Sequence, residues 1–161
     1  MDLIVREVQP DDAAAVVAIL NPIIATGLYT VFDTPFTVEA ERAYIESLPE
    51  RGVFLVAVDK SRQQGEEIVG FQSMEPFAAY TRAFDHVGVL GTYVSLHHRR
   101  QGVSRVLFEQ TFQEARRKGY EKIFTFVRAD NPAALAAYLA QGFTTVGTAR
   151  GTGESSRPLR R

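Results

Sequence analysis

Val53-Phe54-Leu55-Val56-Ala57-Val58 is an apolar run with no polar interruption. A strand with one wet face alternates, so an unbroken run of this length suits a strand buried on both faces. The rest of the chain is read around it. Leu3 to Val8 alternates as a first strand. Ala13 to Leu20 is a strong helix former behind Asp11 and Asp12, and Asn21-Pro22 is expected to interrupt it. Tyr29 to Pro35 reads as a surface loop. Thr37 is placed to cap a second helix to Leu48, with Ala40, Ala43, Tyr44 and Leu48 on one stripe.

Ile68 to Met74 follows as a strand, closed by Glu75-Pro76-Phe77. His86 to Ser95 is rich in Val, Leu, Thr and Tyr and reads as a central strand. Gly102 opens a helix to about Lys118, stopped by Gly119. Ile123 to Val127 is another strand. Asn131-Pro132 starts a last helix with Asn as cap and Pro in the first turn, and Phe143 to Ala149 is expected as a final strand. The order β-α-α-β-β-β-α-β-α-β is that of a mixed α/β (α+β) domain. Residues 1–150 are expected as a single domain and 151–161 as a polar, flexible tail.

With 161 residues the chain is long enough to bury roughly 70% of its unfolded surface without staples. A formal net charge of −1 gives no global field for nucleic acid or an anionic membrane, so any anion site must be local. The absence of cysteine excludes disulfides, thiolate metal sites and a thiol nucleophile. Ala13 to Leu20 is too short to span a bilayer, and no secretory signal is visible at the start, which points to the cytoplasm.

The turn Arg99-Arg100-Gln101-Gly102-Val103-Ser104 lies between a strand and a helix. A helix start presents unpaired N–H groups and the positive dipole end, and a diphosphate can sit there if the backbone can be approached closely. Gly102 permits that approach, Ser104 is small, and Arg99, Arg100 and Arg105 add charge. The same residues would also make an ordinary solvated basic turn, and local features leave both readings open. Neither a P-loop nor a dinucleotide glycine pattern is present, and Gly102-Val103-Ser104-Arg105-Val106 lacks the second Gly of a nucleophile elbow.

The turn resembles the Arg/Gln-x-x-Gly-x-Gly/Ala cofactor loop of the GCN5-related N-acetyltransferase (GNAT) superfamily, with Ser104 in the last place. Asn131 to Phe143 resembles that family's Asn-x-x-Ala-x-x-x-Tyr-x-x-x-Gly-Phe segment, and the resemblance runs from Ile4 to about Val146. More loosely, Asn21-Pro22, Phe32-Asp33-Thr34-Pro35 and Glu41-Arg42 are similar to the phosphinothricin and amino-acid acetyltransferase subgroup.

The resemblance implies the acyl-CoA N-acyltransferase fold and an enzyme moving acetyl from acetyl-CoA, without a metal, to the primary amine of a small acceptor. In the family two parallel strands splay and the pantetheine inserts between them. Thr92, Tyr93, Val94 and Ser95 would then offer backbone groups, with Arg99, Arg100, Gln101, Gly102, Val103 and Ser104 on the pyrophosphate. Tyr138 would be the general acid that assists thiolate departure, and Asn131 a cap that also touches the cofactor. The subgroup's Glu before the central Tyr-Val is missing from His86 to Thr92, which leaves Glu75, Asp85, His86 or a water chain as the proton acceptor. Tyr29 to Phe36, with Phe77 and Tyr80, would wall the acceptor pocket.

The family adds one more strand after Phe143 to Ala149, and the polar stretch from Gly151 is a poor one, so the sheet edge is exposed, covered by its own loop, or covered in a homodimer. A non-catalytic acyl-CoA binding or sensing module is the rival reading.

Overall fold

In the computed structural model, which describes residues 1–65 and 67–150, the apolar run at Val53 is a strand buried along its whole length. Five strands make one sheet in sequence order: β1 (Leu3–Glu7), β2 (Val53–Asp59), β3 (Ile68–Pro76), β4 (Val87–Val94) and β5 (Lys122–Phe124). The first three pairings are antiparallel and β4–β5 is parallel, so the sheet is mixed as expected. Between β1 and β2 lie α1 (Ala13–Thr26) and α2 (Val38–Glu46). Helix α3 (Val103–Arg117) joins β4 to β5, and α4 (Pro132–Ala140) follows β5.

The alternation of β2 divides the core in two. Leu55 and Ala57 belong to a cluster with Met74, Leu90, Val103, Leu107 and Phe108, the face covered by α3 and α4. Phe54, Val56 and Val58 pack with Phe71, Val16, Leu20 and Ile23 on the face covered by α1. Burial of every residue of β2 follows from these two layers.

Local signals set several boundaries. Thr37 Oγ1 accepts from Ala40 N at 3.1 Å, and Asn131 Oδ1 accepts from Ala134 N at 3.1 Å, both true N-caps. Gly119, at φ 86°, follows the end of α3.

Three expectations are corrected. Helix α1 is not interrupted at Asn21-Pro22 but runs through Pro22 to Thr26 and ends at Gly27, φ 66°. Proline forfeits one backbone bond, and the buried Ile23 and Ile24 of the next turn offset that loss. Asn21 meanwhile exchanges two 2.9 Å bonds with the backbone of Phe36. Strand β5 ends at Phe124 rather than Val127. Phe143 to Ala149 forms no strand: Phe143 packs edge-on against Tyr138, while Val146 is exposed. The expected tail 151–161 lies outside the described residues. Among the described residues no helix is long and apolar enough to cross a membrane.

Helix α3 seats its first turn directly on β3. A Cβ at Gly70 would lie 2.7 Å from Val103 Cγ1 and 3.1 Å from the Tyr93 carbonyl oxygen. Gly70→Val is expected to cost about 1–3 kcal/mol through overpacking, read as a Tm lower by several degrees in a thermal melt.

Candidate functional site

Strands β4 and β5 pair only at Val87–Lys122, Gly88–Ile123 and Val89–Phe124. Beyond Val89, β4 continues for five residues with β3 alone. Across the opening Thr125 Oγ1 donates to Leu90 O at 2.9 Å. The result is a wedge between β4 and the departing chain.

Along a strand, successive backbone groups point to opposite edges. Val87 O accepts from Phe77 N, and Ser95 N donates to Val69 O, so the odd-numbered residues of β4 address β3. Leu90 O, met by Thr125, shows that the even-numbered ones address the wedge. Thr92 and Val94 therefore present free main-chain groups to it. Tyr93 and Ser95, expected to do the same, do not: their backbone groups face β3, and Ser95 O also accepts from His98 N at 2.9 Å. The Tyr93 ring instead stacks on Phe71 with centroids 5.0 Å apart.

Tyr138 comes to the wedge from the α3/α4 face. Its hydroxyl donates to Thr92 Oγ1 at 2.8 Å, and its ring meets Phe108 and Phe143 edge-on at 5.4 and 5.2 Å. Gln72, fully buried, donates from Nε2 to the same Thr92 oxygen at 3.0 Å, while its Oε1 has no partner among the described residues. Burial holds the Tyr138 phenol above its ordinary value, against lowering by Thr125 and Thr92. It is therefore a proton donor, not a base, near neutrality.

At the end of β4 the chain turns through two left-handed residues, Arg100 at φ 61° and Gly102 at φ 83°. For a non-glycine residue this conformation is uncommon and marks a strained turn. Alternation of this kind curls backbone N–H groups into an anion-binding concavity. It opens onto the first turn of α3, where Gly102 as N-cap provides no side-chain bond. No atom lies within 4 Å of where a Gly102 Cβ would stand, so the approach is open. Arg100 and Arg105 are exposed and form no ion pair among the described residues. Gln101 Nε2 donates to His97 O at 3.3 Å, and Ser104 is half-buried beside the turn. The Val103 side chain is 1% exposed in the core, so only its N–H can serve an anion there. Asn131 Oδ1 is committed to its cap, and Nδ2 has no partner among the described residues.

The loop between α1 and α2 covers the opposite face near Tyr93. The Arg99 guanidinium lies 3.9 Å above the Tyr29 ring, and Arg128 Nη1 donates to the Gly27 and Thr30 carbonyl oxygens at 2.8 and 3.1 Å. Burial holds the Tyr93 phenol above its ordinary value, with the neighbouring Thr30 side chain pulling the other way. Of the other expected wall residues, Phe77 packs on Phe84 and Phe124, and Tyr80 is 87% exposed.

The candidates for proton acceptor separate sharply. His86 is exposed ahead of β4, at the end remote from the wedge. Thr92 lies six positions further along the strand, roughly 20 Å, so His86 is not brought to Tyr138. Asp85 is likewise exposed and pairs with Arg82. Glu75 lies directly across from Val89, where β5 pairing ends, and Ser73 lies across from Gly91. Phe71, Ser73 and Glu75 share the face covered by α1. Tyr138 and Glu75 thus lie on opposite faces of the sheet. The sequence pattern puts Tyr44 on a core stripe and assigns Gln72 no role; the signal for Gln72 is a lone amide in a strand otherwise built of apolar and small residues up to Met74.

The sequence model of the family described as acetyltransferase (GNAT) family matches residues 21–143. The ribosomal protein bS18-alanine N-acetyltransferase of Escherichia coli strain K12 is 33% identical over 85 residues, 50% of this chain and 57% of that protein. The match therefore spans little more than half the length of this curated relative. A GCN5-related N-acetyltransferase from Kribbella flavida superposes with a TM-score of 0.78 at 26% identity, covering 91% of this chain and 85% of that one. A GNAT superfamily phosphinothricin acetyltransferase from Sinorhizobium meliloti, in complex with AcCoA, gives a TM-score of 0.81 at 18% identity over 91% of this chain and 77% of that one, a likeness of fold.

Proposed function

Because this chain belongs to the acetyltransferase (GNAT) family, we propose that it moves the acetyl group of acetyl-CoA to the primary amine of a small acceptor by direct attack on the thioester. The observation that carries this reading is the wedge that opens beyond Val89 and Phe124, with the Tyr138 hydroxyl held at its wall. An extended pantetheine arm fits it as a short added strand, its amides meeting the outward groups of Thr92 and Val94. The pyrophosphate belongs at the turn of Arg99, Arg100, Gln101 and Gly102, against the N–H groups of Val103 and Ser104. Asn131 Nδ2 remains to donate to the same molecule.

In the reaction the amine nitrogen forms a bond to the acetyl carbon while the carbon–sulfur bond breaks. An outward N–H of β4 takes up the charge on the carbonyl oxygen. Tyr138 gives its proton to the departing sulfur and recovers one from the attacking nitrogen. The net proton leaves on the acceptor side of the sheet.

The test is release of free coenzyme A thiol from acetyl-CoA across a panel of small primary amines, with peptides bearing a free N-terminal alanine as a second arm. The second arm is included because a relative acts on the alanine of a ribosomal protein. Thiol release with small amines is expected. Release with peptides alone would replace the small acceptor by a protein tail, and coenzyme A binding without turnover on any amine would overturn the enzyme reading.

A further inference from the structure

Tyr44, on α2, bonds into the sheet at β3. Its hydroxyl donates to Glu75 Oε1 at 2.6 Å, with Ser73 Oγ 3.2 Å away. A phenol has a single proton, so with Glu75 taking it, the Ser73 hydroxyl is the donor to Tyr44. Burial, and after it the bond to Glu75, hold the Tyr44 phenol above its ordinary value, with Ser73 pulling the other way and the charges of Glu75 and Glu41 adding to the rise. It stays a donor across the working range of pH. The other carboxylate oxygen of Glu75 has no hydrogen bond among the described residues, so it can accept a further proton donor.

The register gives this cluster its meaning. Glu75 and Ser73 stand across from Val89 and Gly91, the positions on their face of β4 where β5 pairing stops. Gly91 has no side chain of its own, and the Tyr93 ring lies over it, with Cε2 3.2 Å and the hydroxyl 3.7 Å from where a Gly91 Cβ would stand. Neither of the other proton-acceptor candidates, His86 and Asp85, is brought there: both lie ahead of β4. The buried Glu41 is near enough for its charge to act on Tyr44. Helix α2 is itself pinned by the Thr37 cap and packs Tyr44 near Phe54, ring centroids 6.2 Å apart, so the phenol is held from both ends.

We propose that Tyr44 is a positioning residue that fixes the Glu75 carboxylate over the acceptor side of the wedge, where Glu75 takes the proton of the incoming ammonium. This rests on the acetyl-transfer reading. One N–H bond of the ammonium breaks, the proton goes to the free oxygen of Glu75, and the neutral amine keeps the electron pair that forms the bond to the acetyl carbon. Glu75 then passes the proton to solvent.

The experiment is a double-mutant cycle of Tyr44→Phe and Glu75→Gln, measured as thiol release with acetyl-CoA and the best amine of the panel. Tyr44→Phe keeps the ring, and a thermal melt checks that it folds. It is expected to lower kcat/KM for the amine about tenfold, the loss of one hydrogen bond to a charged group, with the KM for acetyl-CoA unchanged. Glu75→Gln is expected to lower the rate about a hundredfold. In the Glu75→Gln background, Tyr44→Phe is expected to have no further effect. An equal loss in both backgrounds would make Tyr44 merely structural and overturn the proposal, as would wild-type rates for either single variant. Those outcomes leave acetyl transfer standing, whereas a wild type that releases no thiol with any amine would remove both.

Discussion

Tyr138→Phe is expected to lower kcat about a hundred- to a thousandfold, the range a positioned general acid supplies, with coenzyme A affinity nearly unchanged. The substitution removes one atom and keeps the packing: the ring meets Phe108 and Phe143, and what is lost is the hydroxyl's bond to Thr92 and its interaction with Thr125. Folding should therefore suffer by about 1 kcal/mol, too little to imitate a loss of catalysis. Because burial raises the phenol, Tyr138 stays protonated through neutrality. Any fall of wild-type rate from its ionisation belongs above the ordinary phenol value of about 10. Steady-state kinetics of both proteins, with coenzyme A binding measured by calorimetry, check this. Equal kcat values would return Tyr138 to the role of core filler. A parallel loss of binding and rate would make it a cofactor contact rather than an acid.

What could be read from the chain follows how far each feature reaches. Thr37, Gly119 and Asn131-Pro132 act on atoms within a few residues of themselves, and their caps and stops are where local chemistry puts them. The buried run at Val53 declares its two layers because burial on both faces leaves no polar phase to hide. Pro22 misleads, since the price of its missing bond is local while the burial of Ile23 and Ile24 that offsets it is not. The roles of Tyr93 and Ser95 depend on the phase of β4, which its pairings with β3 reveal, such as Ser95 with Val69 and Val87 with Phe77. Tyr44 and Glu75 are 31 positions apart, and Gln72 and Thr92 are 20 apart. No periodicity in one segment announces such pairs. The aromatic ring that sequence reading gives to the α2 core stripe is there, but its hydroxyl is bonded to another strand.

Replacing Arg99 and Arg100 by Gln together with Gly102→Val is expected to weaken coenzyme A binding by about a thousandfold or more. Two losses combine. Each arginine removed forfeits a charge-assisted bond to phosphate, about 1.5–3 kcal/mol if fully made. Arg100 is exposed and without an ion pair among the described residues, so its charge is available to a ligand. Arg99 must give up its place over Tyr29, which returns part of its contribution. The third change acts on the backbone. At φ 83° a β-branched residue is strained by about 1–2 kcal/mol, although the space around Gly102 is empty. The turn is expected to relax, which turns the N–H groups of Val103 and Ser104 away from the concavity. Gly102→Ala alone separates the two effects: it adds the strain and little bulk, and should weaken binding less than the triple change. Because the turn is exposed while Val103 remains buried beneath it, the melting temperature should move little in any of these variants. Calorimetric titration with coenzyme A reads the outcome. Full affinity in a folded triple variant would mean that the basic turn is only a solvated one, and that the diphosphate sits elsewhere.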